Sequence, residues 1–325
     1  MIDRAATLGE VGEFTLIGAI TAGAATAPDV LLGPGDDGAV LDVSGPVVSS
    51  VDVLVEGVHF RRDWSEARDV GRKAVAVNVA DIEAMGGRAL GLLVGLSAPA
   101  DLPTAWVLDF AAGLHTECAA AGVALLGGDT TRARDITVSV TVLGTLDGRA
   151  PVRRSGAQVG DLVAVAGRTG WAAAGLVVLG RGFRSPRAVV EAQRVPEVPY
   201  GAGAVANAAG ATAMIDVSDG LLADLGHVAV GSGLVIDLSS AAFDVPEPLQ
   251  AVAAATGSDP LHLILTGGED HALAATFPDA AAVPPGWRVV GRARGLSDGE
   301  QAGVLVDGAG WEGPAGFDHF RGGRR

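Results

Sequence analysis

Apolar positions in this chain change their period repeatedly, and each change marks an element. Residues 8–25 carry helical spacing and predict one helix, led in by Gly9-Glu10 and Gly12-Glu13-Phe14. A glycine turn at 33–38 precedes two apolar runs, 39–43 and 47–55, both of which predict strands. Helical periodicity then runs from Ser65, a candidate cap, to Met85, and Gly86-Gly87 stops it. On that helix Asn78 and Asp81 share a face. A continuous apolar run at 89–96 predicts a buried strand, and 103–121 a helix closed by Gly122. Residues 123–126 lead into Gly127-Gly128-Asp129-Thr130-Thr131, a predicted turn at a strand end. Alternation over 136–146 predicts a strand with one wet face.

After Gly148 a glycine- and arginine-rich link reaches Gly160, and a second set of elements follows. Strands are predicted at 162–166, 214–217 and 234–238, and helices at 171–179, from Pro186, and at 221–230. The run 261–265 leads into Thr266-Gly267-Gly268-Glu269-Asp270, and shorter apolar runs lie at 289–292 and 304–306. Helices and strands mix without a strict βαβ beat. The predicted class is therefore α+β or mixed α/β in two domains, 1–148 and 149–325.

Composition narrows the chemistry. A chain of 325 residues is long enough for two cores. Hydrophobic residues make up 49% and mean hydropathy is +0.37, yet glycines interrupt every run before the roughly 20 residues of a membrane span. With a polar, mixed N-terminus and no signal segment, a cytoplasmic protein is expected. A net charge of −15 argues against nucleic acid. One cysteine, Cys118, excludes an internal disulfide, and its apolar helical setting suits a small buried hydrophobe. Lys73 is the single lysine, so arginines carry nearly all the positive charge.

Gly33-Pro34-Gly35-Asp36-Asp37-Gly38 matches a dinucleotide fingerprint in form only. A strand follows it instead of a helix, and two aspartates would repel a pyrophosphate. The looser match at 201–206 reads as a glycine-rich helix start, and no P-loop is present. Asp37, Asp52, Asp81, Asp129, Asp216 and Asp219 all fall at predicted strand ends, turns or helix edges. Singly each reads as a turn former or cap, and Asp219 as a cap of the 221–230 helix. Together, without neighbouring lysines, they read as ligands of a hard cation; Mg2+ bridging carboxylates to phosphates suits them. Arg154 is a linker arginine or a phosphate partner. His59 is a surface histidine or a substrate donor, and Trp311, Phe317 and Phe320 are core or a stacking surface for a flat ligand.

The chain resembles the thiamine-monophosphate kinase family of the aminoimidazole-ribonucleotide synthetase-like superfamily. The likeness runs from about Gly12 to Phe320. It is carried by Gly-Asp-Asp at 35–37, Val-Glu-Gly-Val-His-Phe at 55–60, Ala-Val-Asn-Val-Ala-Asp at 76–81 and Gly-Gly-Asp-Thr-Thr at 127–131. Asp-Val-Ser-Asp-Gly-Leu at 216–221, Gly-Gly-Glu-Asp at 267–270 and Phe-Asp-His-Phe at 317–320 complete it. The resemblance implies Mg2+-dependent transfer of the ATP γ-phosphoryl group to thiamine monophosphate. It also implies a two-domain fold whose N-terminal domain binds ATP and Mg2+ and forms a homodimer through its sheet.

By position the resemblance makes Asp37, Asp52, Asp81, Asp129, Asp216 and Asp219 the metal ligands, with Ser50 and the backbone of Val51 beside them. Gly128, Asp129, Arg154 and Ser218 correspond to nucleotide contacts, and His59, Glu269 and Phe317 to substrate contacts. Asp81, Asp129, Arg154 and Asp219 are the residues expected to act on the transferred group. His271-Ala272 departs from the family's usual Tyr-Glu. The alternatives are an aminoimidazole-ribonucleotide synthetase-like enzyme and a non-catalytic regulator that binds a nucleotide or thiamine phosphate. The cysteine-dependent members of the superfamily are set aside, because Cys118 is mid-helix.

Overall fold

The computed structural model describes residues 2–24 and 26–317; Phe320 and the basic run 321–325 lie outside them. The chain divides into two compact units, one of residues 1–82 with 88–148, the other of 83–87 with 149–325. Strands and helices mix in both, as the pattern implied. No helix among the described residues is long and apolar enough to cross a membrane.

The first unit holds α1 (Leu8–Val11), α2 (Glu13–Thr21), β1 (Val30–Leu32), β2 (Val40–Leu41), β3 (Val47–Val55) and α3 (Ala67–Ala84). It continues with β4 (Arg88–Ala98), α4 (Thr104–Ala121), β5 (Ala124–Arg132) and β6 (Thr137–Thr145). Its sheet has the order β3-β6-β4-β5, antiparallel except for the β4–β5 pair. Alternation is clean: Val138, Val140 and Val142 of β6 are buried, and Val47, Val51 and Val53 of β3 are exposed. α3 packs over the sheet at Gly144, where a Cβ would stand 2.7 Å from Ile82 Cγ2.

Three local expectations change. The helix over 8–25 is two helices, because Gly12 takes φ +80° between them. The long helix begins at Ala67 rather than at a Ser65 cap, and Asp69 in its first turn accepts the Glu66 N–H (3.1 Å). Gly127–Thr131 is not a turn but the body of edge strand β5. Gly127, at φ +155°, marks a register shift against β4, and a Cβ on Gly128 would lie 2.0 Å from Val94 O.

The second unit contains β7 (Leu162–Ala166), α5 (Trp171–Gly180), α6 (Arg187–Arg194), α7 (Ala202–Ala208), β8 (Ala213–Val217) and α8 (Leu221–Ser232). Then come β9 (Val235–Leu238), α9 (Glu247–Thr256), α10 (Pro260–Thr266), β10 (Ala272–Phe277), β11 (Trp287–Arg294), β12 (Gly303–Val306) and β13 (Ala309–Gly310). Its sheet runs β13-β12-β9-β11-β7-β10-β8. Val163, Ile215, Leu225 and Ile236 fill the core on the α8 side, and Met214, Ala275 and Phe277 fill the opposite face. The run 261–265 is helical, started by Asp259, whose Oδ1 accepts the Leu261 N–H.

Helices α3 and α4 cross with their backbones touching. A Cβ on Gly71 would stand 2.1 Å from Phe110 O, and one on Gly113 2.1 Å from Arg68 O. Rotamer changes cannot relieve such a clash. Gly71→Val is expected to cost about 3 kcal/mol, read as a lower urea midpoint at unchanged slope. An unchanged midpoint would show that the helices separate freely.

Candidate functional site

In the first unit, β3 turns Ser50 and Asp52 to the covered face, since alternate strand residues share a side. There Ser50 Oγ donates to Asp81 Oδ2 (2.6 Å), and the Asp52 N–H donates to Asn78 Oδ1 (3.1 Å). Asn78 is fully buried and held by its own Nδ2 on Ala74 O (2.8 Å). Asn78 and Asp81 thus do share a face, and it meets β3. Lys73 was not recognised as part of this neighbourhood. It is 1% exposed on the same helix, and its Nζ donates to His59 O (3.1 Å). Its signal was a lone lysine inside an apolar helix. The His59 ring accepts the Val55 N–H at Nδ1 (3.0 Å), so the neutral ring carries its proton on Nε2 and presents a donor.

The other acids of this unit sit elsewhere. Asp129 is exposed on β5, in register with Gly95, Ser139 and Val53, the row that faces away from α3. Three strand spacings, about 14 Å, separate that edge from β3. Asp37 is exposed in the β1–β2 loop, where its N–H donates to Asp36 Oδ1 (2.9 Å). Val51 is exposed on the face opposite Ser50.

In the second unit, three segments meet at the end of β8. Glu269 N–H donates to Ser218 O (2.7 Å), His271 N–H to Val217 O (2.9 Å), and Phe317 N–H to Asp219 O (2.9 Å). Glycines make these approaches possible. A Cβ on Gly220 would lie 2.6 Å from Thr266 O, on Gly268 2.4 Å from Ser218 O, and on Gly316 2.5 Å from Asp219 O. Beside the junction is a cavity of about 250 Å3, lined by Ser218, Glu269 and Phe317 and walled by Ala172, Leu176 and Leu263. Glu269 and His271 have φ +69° and +50°, a backbone region that side chains this large rarely adopt. Arg154 is exposed on a segment tied down by Met214 N–H on Arg153 O (3.3 Å).

Buried carboxylates hold this junction in shape. Asp224 Oδ2 accepts the N–H groups of Ser218 (3.0 Å), Asp219 (3.0 Å) and Gly220 (3.1 Å). Gly220, not Asp219, is the cap of α8, so Asp219 does not play the capping part. Burial, reinforced by the nearby Asp216 charge, pushes the Asp224 carboxyl up to about 7. Asp224 was not foreseen, because an acid four residues after a turn glycine looks like ordinary helix surface. Asp270 accepts Gly170 N–H (2.6 Å) and Ala172 N–H (2.8 Å) at the start of α5, and burial pushes it up to about 7 as well. Asp216 faces His271, Nδ1 to Oδ2 3.2 Å, with both residues buried. Cys118 is buried and its thiol is pushed up to about 12, which removes it as a nucleophile.

Among the described residues, no three His, Cys, Asp or Glu side chains gather closely enough to hold a metal ion. The donors present are hard oxygens in ones and twos. That set fits Mg2+, which usually takes one or two carboxylates and completes its shell with water and substrate phosphate. It does not form an all-protein cage.

Known proteins resemble this chain along nearly its whole length. The family model described as AIR synthase related protein, N-terminal domain, matches residues 35–146. A thiamine-monophosphate kinase of Mycobacterium tuberculosis is 49% identical over 316 residues, covering 97% of this chain and 93% of its own. One of Corynebacterium glutamicum is 39% identical over 297 residues, covering 88% and 87%. The solved structure of AaThiL complexed with AMPPCP and TMP superposes with a TM-score of 0.78 at 31% identity, covering 98% of this chain and 100% of its own.

The Asp270 carboxyl makes a pH prediction. Unfolded aspartate titrates near ~3.9, so the folded protein holds the extra proton from there up to about 7. Its contribution to stability is therefore full at low pH and is lost as pH rises towards 7. Asp270→Asn should destabilise most below about pH 4 and progressively less by pH 8, read as the Tm difference from the unaltered protein. A gap that is constant or widens with pH would refute the assignment.

Proposed function

The chain belongs to the thiamine-monophosphate kinase family, and from that premise we propose that it transfers the ATP γ-phosphoryl group to thiamine monophosphate, assisted by Mg2+. The observation that best supports this is the second unit's cavity. Ser218, Glu269 and Phe317 come from separate stretches of sequence, yet they line one space. By resemblance the first belongs to the nucleotide and the other two to the substrate.

The nucleophile is a phosphate oxygen of the substrate, anionic near neutral pH, so no strong base and no covalent enzyme intermediate are required. The obstacle is the meeting of two polyanions on a protein of charge −15. Mg2+, when bound, would supply charge neutralisation to the phosphates. Asp81 and Asp52, backed by Ser50 and Asn78, would hold it in the first unit, and Asp37, Asp129, Asp216 and Asp219 are the further candidates. Arg154 adds a guanidinium for the group in transfer. His59 Nε2–H offers a hydrogen bond to a substrate oxygen, its tautomer set by Val55. Ser218 and Gly128 bring backbone to the nucleotide, and the Asp224 contacts keep Ser218 and Asp219 from relaxing when a phosphate arrives.

The same reading makes the protein a cytoplasmic homodimer, joined through the first unit's sheet. Its support is the exposed apolar row on that face, with Val51 at 57%, Val53 at 42% and Leu93 at 38%.

Incubation with ATP, Mg2+ and thiamine monophosphate should yield thiamine diphosphate by chromatography, and chelation should abolish it. Product formed from free thiamine alone would overturn the reading. Asp81→Asn is expected to lower kcat at least about a hundredfold with Tm little changed. Full turnover by that variant at saturating Mg2+ would remove Asp81 from the site.

A further inference from the structure

The second unit's cavity is lined by further polar side chains that the reaction so far leaves unused, Gln193, His262 and Thr266. Gln193, in the last turn of α6, is 7% exposed and borders the cavity with Ser218, Glu269 and Phe317. Its Oε1 is buried and has no hydrogen-bond partner among the described residues. The root of the side chain is fixed. A Cβ on Gly175 would sit 2.7 Å from Gln193 Cβ and 2.1 Å from Val189 O, so α5 and α6 touch there with nothing between them. Only the amide end keeps freedom, about a broad terminal torsion.

A buried amide oxygen without a donor is unfavourable, and such groups in native proteins call for an explanation. Ala172, Leu176 and Leu263 on the cavity wall offer the Gln193 oxygen no side-chain donor, and Ser218, His262 and Thr266, which also line the cavity, do not hydrogen-bond to it. A ligand that fills the cavity can supply the missing donor. A carboxamide presents an acceptor and a donor side by side. That is the complement of an aromatic ring bearing an amino group next to a ring nitrogen, the pattern by which glutamine pairs with adenine.

Resting on the reading above, we infer that Gln193 is a specificity residue whose Oε1 accepts the amino group of the pyrimidine ring of thiamine monophosphate. Adenine carries the same edge. The thiamine ring is the better match because Glu269 and Phe317, two residues of the substrate set, line the same cavity. Such a contact makes the site reject a ring that lacks the amino group, since the oxygen then stays unpaired.

The test compares initial rates of the unaltered enzyme and Gln193→Leu at varied ATP and thiamine monophosphate. It also uses a thiamine monophosphate analogue whose amino group is replaced by hydrogen. Gln193→Leu should raise KM for thiamine monophosphate about tenfold, with KM for ATP and kcat within about twofold. The analogue should cost the unaltered enzyme about tenfold and the variant nothing further. An unchanged KM for thiamine monophosphate, an equal analogue penalty in both proteins, or a rise in KM for ATP instead would each overturn the inference. Should Gln193→Leu fold poorly, Gln193→Met carries the same test at similar volume. An unaltered enzyme that makes no thiamine diphosphate would defeat the proposed reaction instead. In that case tenfold weaker calorimetric binding of thiamine monophosphate to the variant would still support the contact, and equal binding would sink it.

Discussion

Buried carboxylates gripped by backbone N–H groups are the interaction on which the second unit depends. The chain has one lysine, so lysine cannot neutralise its interior acids as a rule. Asp224 takes three amides from 218–220, Asp270 takes two at the start of α5, and Glu83 takes Gly201 N–H (2.7 Å) and Gly203 N–H (2.8 Å) at the start of α7. A carboxylate removed from water is costly, and the first-turn amides of a helix are the donors that offset it best. The balance is incomplete. Burial still raises the Glu83 carboxyl above its ordinary range, against the pull of its amide partners.

That device explains why glycine is so frequent around the junction. An amide meets a buried carboxylate only where the chain turns closely, and Gly170, Gly201 and Gly220 all take positive φ at the starts of the helices so held. Glu269 and His271 adopt left-handed backbone on either side of Asp270, at a cost of about 1–3 kcal/mol each. The two Asp270 hydrogen bonds and the pairing of Glu269 and His271 amides with β8 hold them there. A loop fixed before its ligand arrives loses little order on binding.

The first unit solves a different problem. Its acids are arranged singly or in a pair along β3, α3 and β5 rather than packed together. Ser50 donates to the Asp81 carboxylate and Asn78 accepts the Asp52 N–H, neither adding charge. In the proposed reaction such an arrangement would leave a hard cation room for substrate phosphate, which a full protein cage would not.

Much of this was legible in the chain itself. The period of β6 and the shared face of Asn78 and Asp81 follow from local spacing, because side-chain direction is set by backbone repeat alone. Motif wording was enough for the family, since a turn, an acid and its glycines are contiguous. Strand β10 was overlooked. Its Ala-Leu-Ala-Ala-Thr-Phe has no polar alternation, because the strand is buried on both faces between β7 and β8. Gly127–Thr131 looked like a turn because the glycines that admit the register shift and the Val94 carbonyl are turn residues elsewhere. The role of Asp224, the isolation of Asp129 on its own edge and the unpaired oxygen of Gln193 were decided by tertiary structure alone. Each depends on which donor or strand lies opposite, and that partner comes within reach only when distant segments have packed.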